Sequence, residues 1–191
     1  MKTVLDPSPM QIAAIHVNKE NEIVVGLREK GLPFPVMDCS VRQRKVTLEF
    51  DKTGNKLFNY AYRIRTDSLN IVYDVDCLDD EDNGRLVAVD RSDRLKFTYD
   101  VHTEFGIFQP EGITITPSDN IVVADYHNKS LHVINSKGDL LGLQFIFKDL
   151  NICDPCSLCF DTGGYLLIGC GKEKDEDYGK IYVVKMVDNL V

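Results

Sequence analysis

The sequence predicts an all-β chain, a partial β-propeller of about four blades built from four-stranded antiparallel sheets and laid out as an open arc. Two observations carry this reading: a strand, turn and strand cassette that recurs along the chain, and the absence of any helix-period pattern. The cassette occupies 12–26, 62–74, 112–125 and 157–169. Its turns, at 19–22, 67–70, 117–120 and 161–164, are rich in Asp, Asn, Gly and Ser, the residues that tolerate tight hairpin geometry. The first apolar residue after each turn is Ile23, Ile71, Ile121 or Leu166, a period of about 48 residues.

Further strands complete each unit. A third apolar strand follows the last three cassettes at 85–90, 130–135 and 180–185, and a fourth is offered at 45–50, 95–99 and 140–145. The last unit has no room for a fourth after Val184. Three or four short antiparallel strands per unit are the signature of a propeller blade, whereas a sandwich would alternate without so regular a repeat. The blades fall at about 10–52, 57–100, 106–148 and 152–191, after a leader over 1–9.

Length and composition narrow the function. The 191 residues suffice for one domain with a real core, and 43% hydrophobic against 27% charged residues is ordinary for a folded soluble protein. A net charge of -8 sets up a field that repels polyanions, which excludes DNA and disfavours RNA. No apolar run is long enough for a secretory signal or a membrane span, so the expectation is a soluble cytoplasmic protein with no membrane partner. The six cysteines, without an export signal, read as free thiols in a reducing compartment.

One unit carries a more specific pattern. Over 108–135 the chain reads Phe-Gln-Pro-Glu-Gly-Ile-Thr-Ile-Thr-Pro-Ser-Asp-Asn-Ile-Val-Val-Ala-Asp-Tyr-His-Asn-Lys-Ser-Leu-His-Val-Ile-Asn, with Gly138 following. Pro110 and Gly112 ahead of the first strand, the Val-Ala-Asp ending at Asp125, Asn128 beyond it and the apolar third strand resemble an NHL repeat. The second unit is a looser match, and the first and last are looser still. Nearly the whole chain resembles the C-terminal NHL propellers of tripartite-motif (TRIM) proteins.

In that family a RING finger, B-boxes and a coiled coil precede the propeller, and the RING finger recruits the ubiquitin-conjugating enzyme. Zinc-finger spacing of Cys and His is missing from the first hundred residues. The resemblance therefore implies target recognition by the propeller without ligase activity: a protein-interaction module rather than an enzyme, with no cofactor or metal, and a protein partner such as a ubiquitination target. Two alternatives stand beside it. One is an RNA-binding NHL propeller; the other is a calcium-dependent propeller hydrolase or lyase, whose axial metal needs carboxylates and amides from a closed ring. Closed NHL propellers typically have six blades, so a four-blade arc, with two exposed sheet edges, predicts a fragment or shortened gene product.

Candidate site residues follow from the blade layout. Loops after each second strand, at 27–32, 77–84, 126–129 and 171–179, share one face, and binding residues concentrate on loops held by a rigid scaffold. The partner-binding candidates are Arg28, Lys30, Tyr126, His127, Asn128 and Lys129; for Asn128 the competing role is to brace its own turn. Asp79, Asp80, Glu81 and Asp82, with Asp175, Glu176 and Asp177, form an acidic rim, read either as solvated loop tips or as a field that steers a basic peptide. Asp80, Asp82 and Gly84 echo a calcium loop but lack its bidentate Glu.

Cys153, Cys156 and Cys159 invite a zinc reading, yet a zinc site needs a fourth ligand, and Cys159 is expected to point into packed sheet as a buried thiol. His16 and His132 lie in strand patterns and are expected to be packed. No nucleophile elbow, phosphate loop or paired-histidine helix appears.

Overall fold

The computed structural model describes residues 8–28, 35–41, 44–78, 83–92, 94–101, 106–172 and 177–186, and at 28, 35–41 and 44–47 the backbone alone. Four antiparallel sheets follow one another, each a meander of sequential strands. The first holds β1 (Gln11–Val17), β2 (Ile23–Arg28), β3 (Pro35–Val41) and β4 (Arg44–Thr47). The second holds β5 (Ala61–Thr66), β6 (Val72–Cys77), β7 (Gly84–Val89) and β8 (Leu95–Tyr99), and the third β9 (Pro110–Ile115), β10 (Ile121–Asp125), β11 (Ser130–Ile134) and β12 (Leu140–Phe145). The fourth has β13 (Pro155–Phe160), β14 (Tyr165–Cys170) and β15 (Lys180–Lys185).

The innermost strands pack in succession, β1 on β5, β5 on β9 and β9 on β13, and no contact of comparable extent among the described residues returns from β13 to β1. The sheets are therefore blades of an open arc, as the repeat predicts. Three details differ from the expectation. The first blade has a third strand, β3, which the sequence hides because Pro35 opens it; proline is tolerated at that position, where no ladder donor is needed. Its fourth strand ends at Thr47 rather than at residue 50, and the following Leu48 is buried. A short helix, α1 (Ile146–Leu150), joins the third blade to the fourth, too short to leave a periodic trace in the sequence.

The hairpins at one end of the blades repeat a single device. In the turns at 18–22, 67–71 and 161–165 the first side chain accepts the backbone N–H groups two and four residues on: Asn18 from Glu20 and Glu22, Asp67 from Leu69 and Ile71, Asp161 from Gly163 and Tyr165. At 116–120 the hydroxyl of Thr116 accepts from Asn120. The fourth residue of each turn is left-handed, with φ of 59° at Asn21, 60° at Asn70, 62° at Asp119 and 80° at Gly164. Asx-type acceptors and αL-tolerant residues explain why Asp, Asn and Gly mark these turns in the sequence. Turns between third and fourth strands reuse the device at Asp90 and Asn135.

Apolar side chains fill the three spaces between blades. Val24, Leu48, Phe58, Ile64 and Val87 pack between the first and second, Tyr73, Leu86, Ile113 and Val123 between the second and third, and Val122, Leu131, Ile152, Leu158 and Ile168 between the third and fourth. Fully burying such a side chain contributes roughly 1.5–3 kcal/mol. Close approach of inner strands needs small residues: a Cβ on Gly112 would sit 3.1 Å from the Ser157 Cα.

Candidate functional site

At the end opposite the repeated turns, each blade's first strand enters through a bulge, at 12/14, 61/63, 110/112 and 155/157. The bulge sets a residue at or next to the end of the second strand, Leu27, Asp76, Asp125 or Cys170, opposite the entry segment. In the two middle blades this residue is a fully buried carboxylate that holds the entry segment in place. Asp76 accepts the backbone N–H groups of Asn59 and Tyr60 at 2.7 and 2.6 Å and pairs with Arg85 at 2.9 Å. Asp125 accepts from the Gln109 and Asn128 backbones and, at 2.7 Å, from the Asn128 amide.

Asp125 also lies 3.5 Å from the His132 Nε2, beside the Ser130 hydroxyl at 3.2 Å, while the His132 Nδ1 meets the Tyr99 hydroxyl at 2.8 Å. The tautomer that satisfies all partners carries its hydrogen on Nε2 and accepts from Tyr99 on Nδ1. Burial alone would push the Asp125 carboxyl up, but the bonds from His132 and Asn128 bring it below the usual carboxylate value. The same burial, with Asp125 nearby, pushes the Tyr99 phenol up to about 12. Ser130, His132 and Asp125 make no nucleophile: Ser130 is fully buried, and the serine and aspartate share one imidazole nitrogen instead of taking opposite ones. His132 is packed, as expected, and its work is to hold the second and third blades together.

The candidate residues of the third blade come together in one loop. Tyr126 donates its backbone N–H to Gln109, and its phenol is pushed up by burial and by the negative surroundings of Asp154 and Glu111. His127 is exposed. Asn128 donates its amide to Asp125 and to the Ile107 carbonyl, so it braces the turn. Lys129, left-handed at φ 52°, lays its ammonium 4.9 Å over the Phe147 ring, and its carbonyl accepts the first N–H groups of α1. Arg28 ends β2, its side chain outside the description; Lys30, Asp79, Asp80, Glu81, Asp82, Asp175 and Glu176 lie outside the described residues. Asp177 is exposed on this same face.

Residues that the sequence reading passed over join them. Tyr178, beside Asp177, is 82% exposed. Tyr60 and Tyr62, their rings 6.2 Å apart, lie at the entry of the second blade, where the Tyr62 phenol meets Glu111 of the third and burial raises its pKa. The Arg63 guanidinium covers the Tyr62 ring at 4.0 Å. The signal available was topological: a loop after a second strand and the segment entering a first strand lie at the same end of a meander, so both belong to one face.

The cysteines depart from expectation in one respect. Cys159 is exposed, because its side of β13 faces away from the third blade; the buried thiol is Cys170, pushed up to about 11 by burial and by Cys156 and Asp154 nearby. No disulfide links the described cysteines, and no group of three or more His, Cys, Asp or Glu among the described residues is placed to hold a metal. No described helix is long and apolar enough to cross a membrane.

The NHL repeat family model matches residues 109–134, the unit built around Asp125 and Asn128. No curated protein matches the chain in sequence. Solved structures share its fold. A protein assigned as a gluconolactonase is 14% identical, with a TM-score of 0.60 over 90% of this chain and 59% of its own. A catalytically inactive virginiamycin B lyase from Staphylococcus aureus, solved with quinupristin, is 14% identical at TM-score 0.63 over 98% and 60%. A luciferin-regenerating enzyme is 14% identical at TM-score 0.58 over 91% and 61%. The chain thus spans about three fifths of the length of each.

These neighbours correct the expectation that the chain is not an enzyme. The arc it shares with them is the scaffold of named enzymes, so a missing nucleophile elbow or paired-histidine motif excludes nothing about catalysis.

Proposed function

We propose that the chain is a protein-recognition module whose partner docks on the face formed by the blade-entry segments and the loops after the second strands. The observation that carries this reading is the convergence on that face of aromatic and charged side chains outside the packing between blades: Tyr60, Tyr126 and Tyr178 with His127 and Lys129. Tyrosine supplies large contact area at low conformational cost and is enriched where interfaces bind most strongly. Asn128 serves as a positioning residue, holding the loop that presents Tyr126 and His127. The resemblance to TRIM-NHL propellers directs the reading to a protein target, in a cytoplasm where the thiols stay reduced.

Arg28 and Lys30 would extend the surface on the first blade, and the acidic residues Asp79 to Asp82 and Asp175 to Asp177 would favour partners with basic segments, with association slowing as salt rises. The test uses a partner identified by affinity capture. Tyr126→Ala with Lys129→Ala should weaken that complex about tenfold or more while the circular dichroism spectrum and melting temperature stay put. Unchanged affinity in the folded double variant contradicts the assigned face.

A further inference from the structure

The inner wall of the arc holds two arginines that the recognition face does not use. Arg63 and Arg65 sit two apart on β5, the innermost strand of the second blade, on the side facing the third blade, where their strand partners are Val75 and Tyr73 of the apolar core. Elsewhere arginines are matched to acids: Arg85 pairs with Asp76, Arg91 with Glu22 and Arg94 with Asp90. Arg63 and Arg65 show no carboxylate pairing among the described residues. Arg63 donates to the Tyr62 carbonyl and, at 3.3 Å, to the Tyr62 hydroxyl; Arg65 donates to the Ile64 carbonyl at 2.8 Å.

Their surroundings are those of a receptacle for negative charge. Burial and the neighbouring Arg63 both pull the Arg65 pKa down, so the fold holds two like charges side by side in a half-buried place. β5 packs against β1 on one side and β9 on the other, so Arg65 lies among inner strands of different blades, with His16 of β1 and Cys159 of β13 within its electrostatic reach. The groups that face the pair are His16, whose pKa falls to about 4 through burial and Arg65, Cys159, and Glu111 of β9, which is engaged with the Tyr62 phenol. Two adjacent guanidiniums, partly shielded from water and hydrogen-bonded only to neutral oxygens, keep donors to offer an anion.

We propose that Arg63 and Arg65 form an anion subsite on the axis of the arc, which takes the oxyanion of a small ligand, either a phosphate or a carboxylate. Guanidinium forks present several donors in a fixed plane and suit both groups. The subsite stands independently of the protein-recognition reading, because it needs no protein partner.

The experiment titrates inorganic phosphate, and separately malonate, into the unmodified protein at pH 7 and low ionic strength, with arginine Nε–Hε resonances followed by NMR. The expected result is saturable movement of the Arg63 and Arg65 signals with those of Arg91 and Arg94 still, and a dissociation constant raised at least tenfold by Arg65→Gln. A tighter response to phosphate identifies a tetrahedral dianion as the ligand group, and a tighter response to malonate a carboxylate. Still signals for Arg63 and Arg65 with both anions overturn the proposal, even if Arg65→Gln fails to fold, and so does equal affinity in a folded Arg65→Gln protein.

Discussion

The two ends of the blades are built on opposite principles. At one end, every hairpin between first and second strands uses the same turn, with its polar acceptor satisfied by its own backbone and its left-handed residue at the same place. At the other end the described bracing changes from blade to blade: one blade holds its entry with Asp76 and Arg85, the next with Asp125, Asn128 and His132, and the first and fourth blades carry Leu27 and Cys170 at the same position. Repetition at one end and variation at the other are what the proposed function requires, with scaffold and recognition separated along the strand direction. A turn that satisfies itself has little left to offer a partner; exposed side chains such as His127 and Tyr178 have more.

The largest effect is expected where the variable end is fixed to the scaffold. Asp125→Ala strips partners from the Gln109 and Asn128 backbones and from His132, and should cost about 3–4 kcal/mol in urea unfolding. The equivalent Cys170→Ala, which removes only a small buried thiol, should cost much less. A similar loss in both would erase the distinction between middle and terminal blades.

Between the two ends lies Asp74, fully buried with neither carboxyl oxygen hydrogen-bonded among the described residues. Burial and the nearby Asp76 raise its pKa well above the usual value, against the weaker pull of the Arg63 amide and Arg85. A raised folded-state pKa favours the protonated form, so its contribution is present below about pH 4 and is lost as pH rises. Asp74→Val should therefore stabilise the chain at pH 7, by about 1–3 kcal/mol, with a gain that shrinks toward pH 4. A loss at neutral pH would reveal a partner for this carboxyl.

At the repetitive end, Asp67→Ala removes acceptors for Leu69, Ile71 and the Tyr73 hydroxyl, and should cost about 1–2 kcal/mol without touching partner affinity. His16 reports the axis between the ends. Burial and Arg65 lower its pKa to about 4, below the unfolded value near 6.5. Its contribution is full above pH 6.5 and is lost as pH falls through 4, so His16→Gln should flatten that acid limb of a melting-temperature profile. The smallest stability effect belongs to the variable face: Tyr178→Ala should stay within about 0.5 kcal/mol of the parent.

Much of this architecture is legible in the sequence because a hairpin and a buried strand leave local marks. Asn18, Asp67 and Asp161 announce the repeated turn, and the runs beginning at Ile71 and Ile121 announce the second strands that every blade buries. What stayed hidden is what depends on distant residues. β3 opens on a proline whose tolerance depends on its place in the sheet, and Cys159 is exposed because it lies on the side of β13 turned from the third blade. The proposed recognition face was half legible: the loop from Tyr126 to Lys129 follows from the repeat, but Tyr60, Tyr62 and Tyr178 join it only once the blade entries are seen to share its end of the sheet.

Tyr178 and Leu69 give that division its most direct test, being 82% and 78% exposed at opposite ends of the blades. A photo-crosslinking phenylalanine derivative placed at each position, in the presence of the captured partner, should yield a covalent adduct from position 178 and none from position 69. Equal adducts from both, or an adduct from position 69 alone, would contradict a recognition surface confined to the variable end.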